Sequence, residues 1–375
     1  MSRPDRILIL TASAGAGHVI AAQALEQAFR AADPTAAVRC VDVLQVAGRV
    51  FRGMYGGGYL ALIRHFPTGM GWLYDALDRP PGRLGERLRL AIQDAFCGPV
   101  VRFLRAERPR MIVNTHFLSA EIVAQLRRAG RLAARQVTVC TDFETHRLWV
   151  NEPTERYYVA TDVGKAYLTT WGVPAAAVRV TGIPVRQSFT TPLPPAEARR
   201  RCGVNPDQPL VLLLCGGFGV GPVGELLREL VRMPAAGQIV AIVGRNEPLR
   251  RRLAGLAHGA GRPVTVVGFT DRMHEFMFAA DLVVTKPGGL TVSEALACGL
   301  PLVIVNPIPG QETRNADWLL EHGAAVKVNH PRLLGYRVAT LLGDPARLAT
   351  LRAAARGAGR PRAGAEIARD ALALG

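Results

Sequence analysis

The sequence contains no long apolar run and no Cys-x-x-Cys pair, and we expect no signal peptide at its N-terminus; each of these features narrows the possible classes of protein. No run of about 18 apolar residues occurs in the chain, which excludes a membrane-spanning helix. The cysteines are scattered without a Cys-x-x-Cys pair, so we expect reduced thiols in a cytoplasmic protein. The N-terminal segment MSRPDRILIL enters a predicted strand directly and does not have the layout of a signal peptide.

Lysine is also scarce, and arginine carries almost all of the positive charge. Only Lys165, Lys286 and Lys327 are present, although Lys and Arg together number 46 against 30 Asp and Glu, giving a net charge of +16. This balance favours an anionic partner: a nucleotide, a nucleic acid or an anionic membrane surface. Aromatic residues make up only 6% of the chain, and no zinc-finger or RNA-binding motif is present. We therefore expect no nucleic-acid partner.

The chain does contain two series of alternating strand and helix patterns, and its 375 residues suit two domains. Buried strands are predicted at Arg6–Thr11, Val38–Val43, Arg110–Asn114, Gln136–Cys140, Tyr157–Ala160, Val178–Thr181, Pro209–Cys215, Gln238–Val243, Val264–Val267, Asp281–Thr285, Pro301–Val305 and Ala324–Val328. A proline-rich stretch over 187–208 reads as a linker. The pattern predicts an α/β fold of two doubly wound domains, each opening with a glycine-rich turn.

The most informative stretch is VVTKPGGLTVSEALACGLPLVIVNPIPGQETRN, residues 283–315. It predicts a strand, a glycine turn and a helix whose free N-terminal N–H groups attract an anion. Gln311, Glu312 and Asn315 follow the next strand, where ligands of open α/β sheets bind. This indicates a nucleotide-phosphate site with a polar group beyond the phosphates. Glu294 has two open interpretations, because Thr291-x-x-Glu294 also fits a capping box.

The first strand is followed by Ser13-Ala14-Gly15-Ala16-Gly17-His18 and a helix. This glycine loop resembles a dinucleotide fingerprint without its third small residue, and Asp42 stands where a ribose-binding acid could sit. His18 lies at the helix N-terminus, which lowers the pKa of an imidazole and favours its neutral, proton-accepting form. The alternative is that His18 only caps the helix.

Between Leu44 and Arg105 the pattern is irregular, and large apolar side chains alternate with glycines and arginines. Such a composition suits a segment lying on a membrane surface, and equally a helical excursion packed on its own domain. Polar side chains then collect at predicted strand ends, including His116, Asp142 and His146. The Asp142-x-Glu144 pair is a poor metal site, so we expect no essential metal and no resident cofactor.

The whole chain resembles the GT-B glycosyltransferases that transfer a sugar from a UDP-sugar to a lipid. The matching segments are ILILTASAGAGH, TDFETHRLWV, RYYVATDVGKAYL, TGIPVR, CGGFGVGP, VVGFTDRMHEFM and KPGGLTVSEALACGLPLVIVNPIPGQETRNA. They are most similar to monogalactosyldiacylglycerol synthase and the processive diacylglycerol glucosyltransferases, and less similar to the enzyme that forms lipid II. The resemblance implies two Rossmann-like domains facing each other across a cleft.

The resemblance implies a function for each of the predicted domains. Residues 1–186 would form an acceptor- and membrane-binding domain, 187–208 a linker, and 209–345 a UDP-sugar domain. Residues 346–375 would form a helical tail that packs back toward the N-terminal domain. The protein is expected in the cytoplasm, bound peripherally to the inner face of the cell membrane.

The family's functional positions map onto specific residues of this chain. His18 would be the general base of an inverting transfer, with Asp142 orienting it or the acceptor. The donor, UDP-glucose or UDP-galactose, would contact Arg186, Gly217, Phe218, Phe269, Gly288, Gly289, Leu290, Glu294, Gln311 and Glu312. Gly15, Gly17, His116 and His146 would lie on the side of a diacylglycerol acceptor. The alternatives are another lipid or natural-product acceptor, such as a lipid II precursor or a carotenoid-type alcohol, a UDP-sugar epimerase, and an NAD-binding module.

Overall fold

A computed structural model describes residues 6–13, 15–48, 53, 74, 76–79, 98–216 and 221–374. The chain forms two units. The first contains residues 1–187, 309–311 and 361–375, and the second contains residues 188–308 and 312–360. The predicted segment 44–105 and the predicted donor residues Gly217 and Phe218 lie wholly or largely outside the described residues.

The first unit is organised around a parallel six-stranded sheet in the order β2-β1-β3-β4-β5-β6. Its strands are β1 (Arg6–Thr11), β2 (Ala37–Asp42), β3 (Met111–Asn114), β4 (Arg135–Val139), β5 (Arg156–Val159) and β6 (Val178–Val180). The β3 strand MIVN is buried along its whole length, as expected for a central strand covered on both faces. The register pairs Leu8 with Ile112 and Leu10 with Asn114, so β1 and β3 end side by side.

The second unit repeats this architecture with a different strand order, β12-β11-β10-β7-β8-β9, again all parallel. Its strands are β7 (Leu210–Leu214), β8 (Gln238–Ile242), β9 (Val264–Val267), β10 (Leu282–Thr285), β11 (Leu302–Val305) and β12 (Ala325–Val328). Every predicted strand is therefore present within one residue at each end, and the predicted α/β fold of two doubly wound sheets is confirmed.

Helices cover both sheets because their apolar residues recur at helical spacing. Val223, Leu226, Leu227 and Leu230 follow the i, i+3, i+4, i+7 pattern and are all buried in the core of the second unit. The described helices are α1 (Ala16–Ala32), α2 (Val43–Val46), α3 (Phe117–Arg128), α4 (Asp162–Thr170), α5 (Pro195–Cys202), α6 (Val223–Val231), α7 (Glu247–His258), α8 (Met273–Ala279), α9 (Gly289–Ala297), α10 (Gln311–Glu321), α11 (Leu334–Leu342), α12 (Pro345–Ala358) and α13 (Ala363–Ala373). Within the described residues, no helix is long and apolar enough to span a membrane.

Each sheet has one point where the strand order reverses, and ligands of open α/β sheets bind outside the carboxyl ends of the strands there. In the first sheet this switch point lies between β1 and β3. In the second sheet it lies between β7 and β10. Residues that follow these four strands are therefore the first candidates for a functional site.

The C-terminal helices belong to different units. Helix α12 lies in the second unit, whereas α13 lies in the first and packs against α1. A Cβ atom added at Gly364 would lie 3.5 Å from the Cβ of Ala28, so the two helices approach closely. Ile367, Ala368 and Ala371 join the buried core formed by β1, β3 and α1. The predicted tail 346–375 thus spans both units, and the predicted linker contains helix α5 of the second unit.

Candidate active site

The glycine loop after β1 places His18 at the switch point of the first sheet. Helix α1 starts at Ala16 with Gly15 as its N-cap in an extended conformation (φ −151°), and no side chain caps it. His18 is therefore the third residue of the helix. The capping interpretation of His18 is wrong, because the ring makes its contacts with neighbouring strands instead of the free N–H groups of its own helix.

Two groups hold the His18 imidazole through the same nitrogen. Its Nδ1 lies 3.0 Å from the carbonyl oxygen of Thr115 and 2.7 Å from Oγ1 of Thr141. A carbonyl oxygen can only accept a hydrogen bond, so this contact requires the proton on Nδ1 in the neutral ring. The lone pair then resides on Nε2, which faces the loop: a Cβ added at Gly15 would lie 4.0 Å from it. The geometry presents Nε2 as a proton acceptor.

The charge state of His18 agrees with this assignment. Burial lowers the pKa of His18 to about 4, and the hydrogen bond to the Thr115 carbonyl opposes that shift. The ring is therefore neutral near pH 7. The sequence predicted a lowered pKa from the helix N-terminus, whereas the structure gives desolvation as the main cause.

His116 is the N-cap of α3, and His146 is the N-cap of a short 3₁₀ helix, Arg147–Trp149. Nδ1 of His116 accepts from the Leu118 N–H at 3.1 Å at the start of α3, and its ring packs edge-on against His18 with centroids 4.6 Å apart. Burial, and then the neighbouring His18, hold the pKa of His116 well below its usual range. Nδ1 of His146 accepts from the Leu148 N–H, and its Nε2 donates to the Tyr74 carbonyl at 2.8 Å. Both imidazoles therefore support the local backbone.

Asp142 lies in the loop after β4 and is 5% exposed. Its Oδ2 accepts from the indole N–H of Trp149 at 2.7 Å, and its Oδ1 accepts from the side-chain amide of Gln311, which clusters with the first unit. The hydrogen bonds to Nδ1 of His18 come from the Thr115 carbonyl and the Thr141 hydroxyl. The role of Asp142 as an orienting residue for His18 or the acceptor stays a prediction.

The loop that contains His18 is braced by Asp42. Its Oδ1 accepts from the N–H groups of Ser13 (3.2 Å) and Leu44 (3.0 Å), so the carboxylate caps α2 and fixes the loop. These two hydrogen bonds explain why an acidic residue stands at the end of β2, and no bound ribose is needed to explain it.

Arg186 follows β6 and is partly buried, and among the described residues no hydrogen bond or ion pair engages its guanidinium.

In the second unit, helix α9 starts at Gly289 directly after β10, with Gly288 as an N-cap and no side-chain cap. The capping-box interpretation of Glu294 is wrong, because Thr291 is already the third helical residue. Glu294 lies inside the helix and is 6% exposed. Gly288, Gly289 and Leu290 thus form an uncapped helix N-terminus at the switch point of this sheet, as the sequence predicted.

The PIPGQE segment is fixed beside this helix N-terminus. Oε2 of Glu312 accepts from the Ile308 N–H at 2.7 Å, and Oε1 lies 3.9 Å from a Cβ added at Gly288. Burial raises the pKa of Glu312, while Lys286 and the Ile308 hydrogen bond oppose the rise. The fully buried Asn315 donates to the Pro287 carbonyl at 2.9 Å, so it fastens α10 to the glycine turn.

Phe269 follows β9 and is unusually exposed, with 59% of its surface accessible. The guanidinium of Arg245, in the loop after β8, lies 4.6 Å from the ring centroid in cation–π geometry. Sequence reasoning singled out Phe269 but not Arg245, nor Thr115 and Thr141 beside His18. The available signal was their position: Thr115 and Thr141 directly follow predicted strands, and Arg245 lies two residues after one.

Comparison with known proteins agrees with this architecture. The family model of monogalactosyldiacylglycerol (MGDG) synthase matches residues 18–185, and that of glycosyl transferases group 1 matches residues 225–358. The chain is 31% identical over 381 residues to a processive diacylglycerol beta-glucosyltransferase of Bacillus mycoides, covering 100% of this chain and 95% of that protein.

Solved structures share the fold at lower identity. MurG of Acinetobacter baumannii is 16% identical and superposes with a TM-score of 0.63, covering 99% of this chain and 100% of that one. Anabaena HepE in complex with UDP-glucose is 16% identical with a TM-score of 0.57, covering 98% and 99%.

Two Rossmann-like sheets and the matched family models define the class: the chain is a GT-B glycosyltransferase. Within that class, it belongs to the family of monogalactosyldiacylglycerol synthases and processive diacylglycerol beta-glucosyltransferases. The resemblance noted in the sequence is thereby confirmed.

Proposed function

We propose that this protein transfers a hexose from UDP-glucose or UDP-galactose to the hydroxyl of a diacylglycerol-type lipid, with His18 as general base. The observation that carries the proposal is the His18 imidazole, held neutral with its Nε2 lone pair directed at the glycine loop. The relatives named diacylglycerol glucosyltransferases support the choice of acceptor.

The chemistry follows from one displacement. Nε2 of His18 takes the proton of the acceptor hydroxyl as its oxygen forms a bond to the anomeric carbon of the sugar. The bond from that carbon to the UDP oxygen breaks, and UDP leaves with the electron pair. A single displacement inverts the configuration, so an α-linked donor gives a β-glycoside.

The donor half of the reaction falls to the second unit. The uncapped N-terminus of α9 offers N–H groups to the diphosphate, and the buried carboxylate of Glu294 suits a ribose diol. Phe269 and Arg245 form a flat, exposed surface of the kind that supports a nucleobase. Because the protein supplies its own donors to the leaving group, we propose that no resident metal or other cofactor takes part.

To reach its acceptor, the protein attaches from the cytoplasm to the inner face of the cell membrane. The net charge of +16 favours an anionic lipid surface, since cationic side chains near such a surface contribute roughly 1 kcal/mol each. A lipid-soluble acceptor also requires the enzyme to work at that surface.

The test is incubation of the purified protein with UDP-glucose or UDP-galactose and diacylglycerol in anionic mixed micelles, followed by mass spectrometry of the lipids. We expect a β-linked glycolipid, formed equally well in the presence of EDTA. If a glycoside forms only with a carotenoid alcohol or a lipid II precursor, that compound and not diacylglycerol is the acceptor. No product with either donor on any of these lipids would refute the proposed function.

A further inference from the structure

The side chain of Thr141 contacts the imidazole of His18 at the switch point of the first sheet. Thr141 lies two residues after β4, and only 4% of its surface is exposed. Its Oγ1 is 2.7 Å from Nδ1 of His18, closer than the carbonyl oxygen of Thr115 at 3.0 Å. All three residues belong to the first unit. The hydroxyl is therefore a buried polar group whose partner is the proposed base.

Thr115 alone fixes the backbone of His18 better than it fixes the ring. Its Oγ1 donates to the backbone carbonyl of His18 at 3.1 Å, and its own carbonyl faces Nδ1. A single acceptor restrains the imidazole weakly, because rotation about the Cβ–Cγ bond of histidine has broad minima. The Thr141 hydroxyl reaches the same nitrogen from the neighbouring strand β4. Turning the ring would therefore break two contacts.

The two oxygens also determine where the ring proton resides. The Thr115 carbonyl can only accept, so the proton is on Nδ1, and the Thr141 hydroxyl then accepts as well. In the opposite tautomer the hydroxyl could donate to Nδ1, but the carbonyl would face a lone pair at 3.0 Å. The pair thus keeps Nε2 unprotonated and beside the glycine loop, where a Cβ added at Gly15 would lie 4.0 Å from it.

The contact between Thr141 and His18 becomes stronger when the ring takes up a proton. The Nδ1–H of an imidazolium is a charged donor, and its hydrogen bonds are roughly twice as strong as those of a neutral donor. Burial lowers the pKa of His18 to about 4, so the charge is costly there and a protein oxygen has to replace water. A contact that strengthens during proton transfer stabilises the transition state more than the bound substrate.

The hydrogen-bond partners of the His18 ring in the described residues are neutral oxygen atoms and no carboxylate. Asp142 directs its Oδ2 to the indole N–H of Trp149 at 2.7 Å and its Oδ1 to the amide of Gln311. His116 packs edge-on against the ring, and burial holds its pKa well below the usual range, so it adds no charge near pH 7. A hydroxyl thus occupies the place that a carboxylate takes in a Ser-His-Asp triad.

We propose that Thr141 is a positioning residue: its hydroxyl fixes the His18 ring with Nε2 toward the glycine loop and stabilises the imidazolium. The inference rests on the proposed function, because it concerns the same proton transfer. The proton of the acceptor hydroxyl moves to Nε2, and the proton on Nδ1 stays between the two threonine oxygens. Thr141 itself neither gains nor loses a proton.

The experiment compares Thr141→Val, which keeps the shape and removes the hydroxyl, with Thr141→Ser, which keeps the hydroxyl. Thr138→Val is the matched control, because Thr138 in β4 is also buried and its Oγ1 has no hydrogen-bond partner among the described residues. NMR of protein labelled with ¹⁵N-histidine reports the Nδ1–H of His18, whose signals are assigned by their loss in His18→Ala. Initial rates report kcat and the KM for the UDP-sugar.

In the wild-type protein we expect a protonated Nδ1 and an unprotonated Nε2 on His18. Thr141→Val should shift the Nδ1–H signal and lower kcat about 10- to 100-fold, the range for a hydrogen bond to a charged group. The KM for the donor should change less than about twofold, since the loss concerns only the proton transfer. Thr141→Ser should recover kcat to within about threefold of the wild type. Thr138→Val should match the wild type in both measurements.

An unchanged Nδ1–H signal in Thr141→Val, or a kcat within about threefold of the wild type, would overturn the inference. A loss that Thr141→Ser does not repair would do the same, because the cause would be packing and not the hydroxyl. If the wild-type protein glycosylates no lipid, the proposed function fails, and the NMR comparison still decides whether Thr141 fixes the ring. Thr141→Ala provides the same comparison if Thr141→Val does not fold.

Discussion

The two switch points share a topology but offer opposite chemistry. At the first, between β1 and β3, an imidazole is kept uncharged by burial and directs a lone pair at the glycine loop. At the second, between β7 and β10, an uncapped helix N-terminus and a lysine offer positive charge. The first arrangement suits the acceptance of a proton, and the second suits the binding of an anion.

The difference arises from what each loop does with its side chains. After β1 the helix begins with small residues, and His18 turns to the neighbouring strand ends at Thr115 and Thr141. After β10 the residue at the strand end is Lys286, and the helix itself follows immediately. A glycosyl transfer needs both functions, since a base must accept the proton of the acceptor and a cation must stabilise the leaving diphosphate.

The largest effect is expected from removing the base. His18→Ala should lower kcat about 10²- to 10⁴-fold, because a general base typically contributes that much, while UDP affinity stays unchanged. The measurement is initial rate at saturating donor together with calorimetric titration of UDP. His258→Ala, an exposed histidine at the end of α7, serves as the control. A loss smaller than about tenfold would mean that His18 is not the base.

A smaller effect is expected on the anion-binding side. Glu294→Gln preserves shape but removes the carboxylate charge, so it should weaken UDP about 10- to 100-fold, the range for a charged hydrogen bond. Affinity for pyrophosphate, which has no ribose, should be unaffected. The exposed Glu321→Gln in α10 is the matched control. Equal loss of affinity for UDP and pyrophosphate would instead show that Glu294 stabilises helix α9 and does not bind the ribose.

The smallest effect is expected from pH. A pKa of about 4 means that His18 remains unprotonated as pH falls, until pH approaches that value. Between pH 8 and pH 6, kcat at saturating donor should therefore fall by less than about 1.2-fold. An imidazole with the ordinary pKa near 6.5 would lose about fourfold over the same interval. The adjacent His116, whose pKa is also lowered, adds no charge in this range.

The folding stability that His18 contributes also decreases as pH falls. The unfolded chain protonates His18 near pH 6.5, whereas the native protein resists protonation down to about 4. The contribution of the neutral ring to stability is thus complete above pH 6.5 and is lost as pH falls toward 4.

The fold was predictable because its central strands are continuous apolar runs. β7, LVLLL, and β11, LVIV, are buried at every residue, so a sequence window identifies them without knowledge of their neighbours. The two glycine loops then indicate the first helix of each sheet. The first glycine loop made His18 a candidate, and the glycine turn after β10 made Gly288 a candidate, whereas the role predicted for Glu294 came from the family resemblance.

The features of the candidate site that the sequence did not predict depend on contacts between distant parts of the chain. Thr115 holds His18 through a backbone carbonyl across 97 positions, and a backbone atom leaves no signal in residue type. Burial, which lowers the pKa of His18, arises only after the sheet is assembled. The capping motif at Thr291 misled because the helix starts two residues earlier, at a glycine with no side chain to cap it.

Helix α13 has a consequence for how the protein is made. Strand β1 and helix α1 leave the ribosome early, but the apolar surface that Ile367, Ala368 and Ala371 cover stays exposed until the second unit has been synthesised. The first residues of the unit that contains His18 are therefore synthesised first, but its core is completed last. During translation the incomplete core of the first unit is therefore the part that needs protection, and proteolysis after Arg360 would expose it again without removing any residue of the second unit.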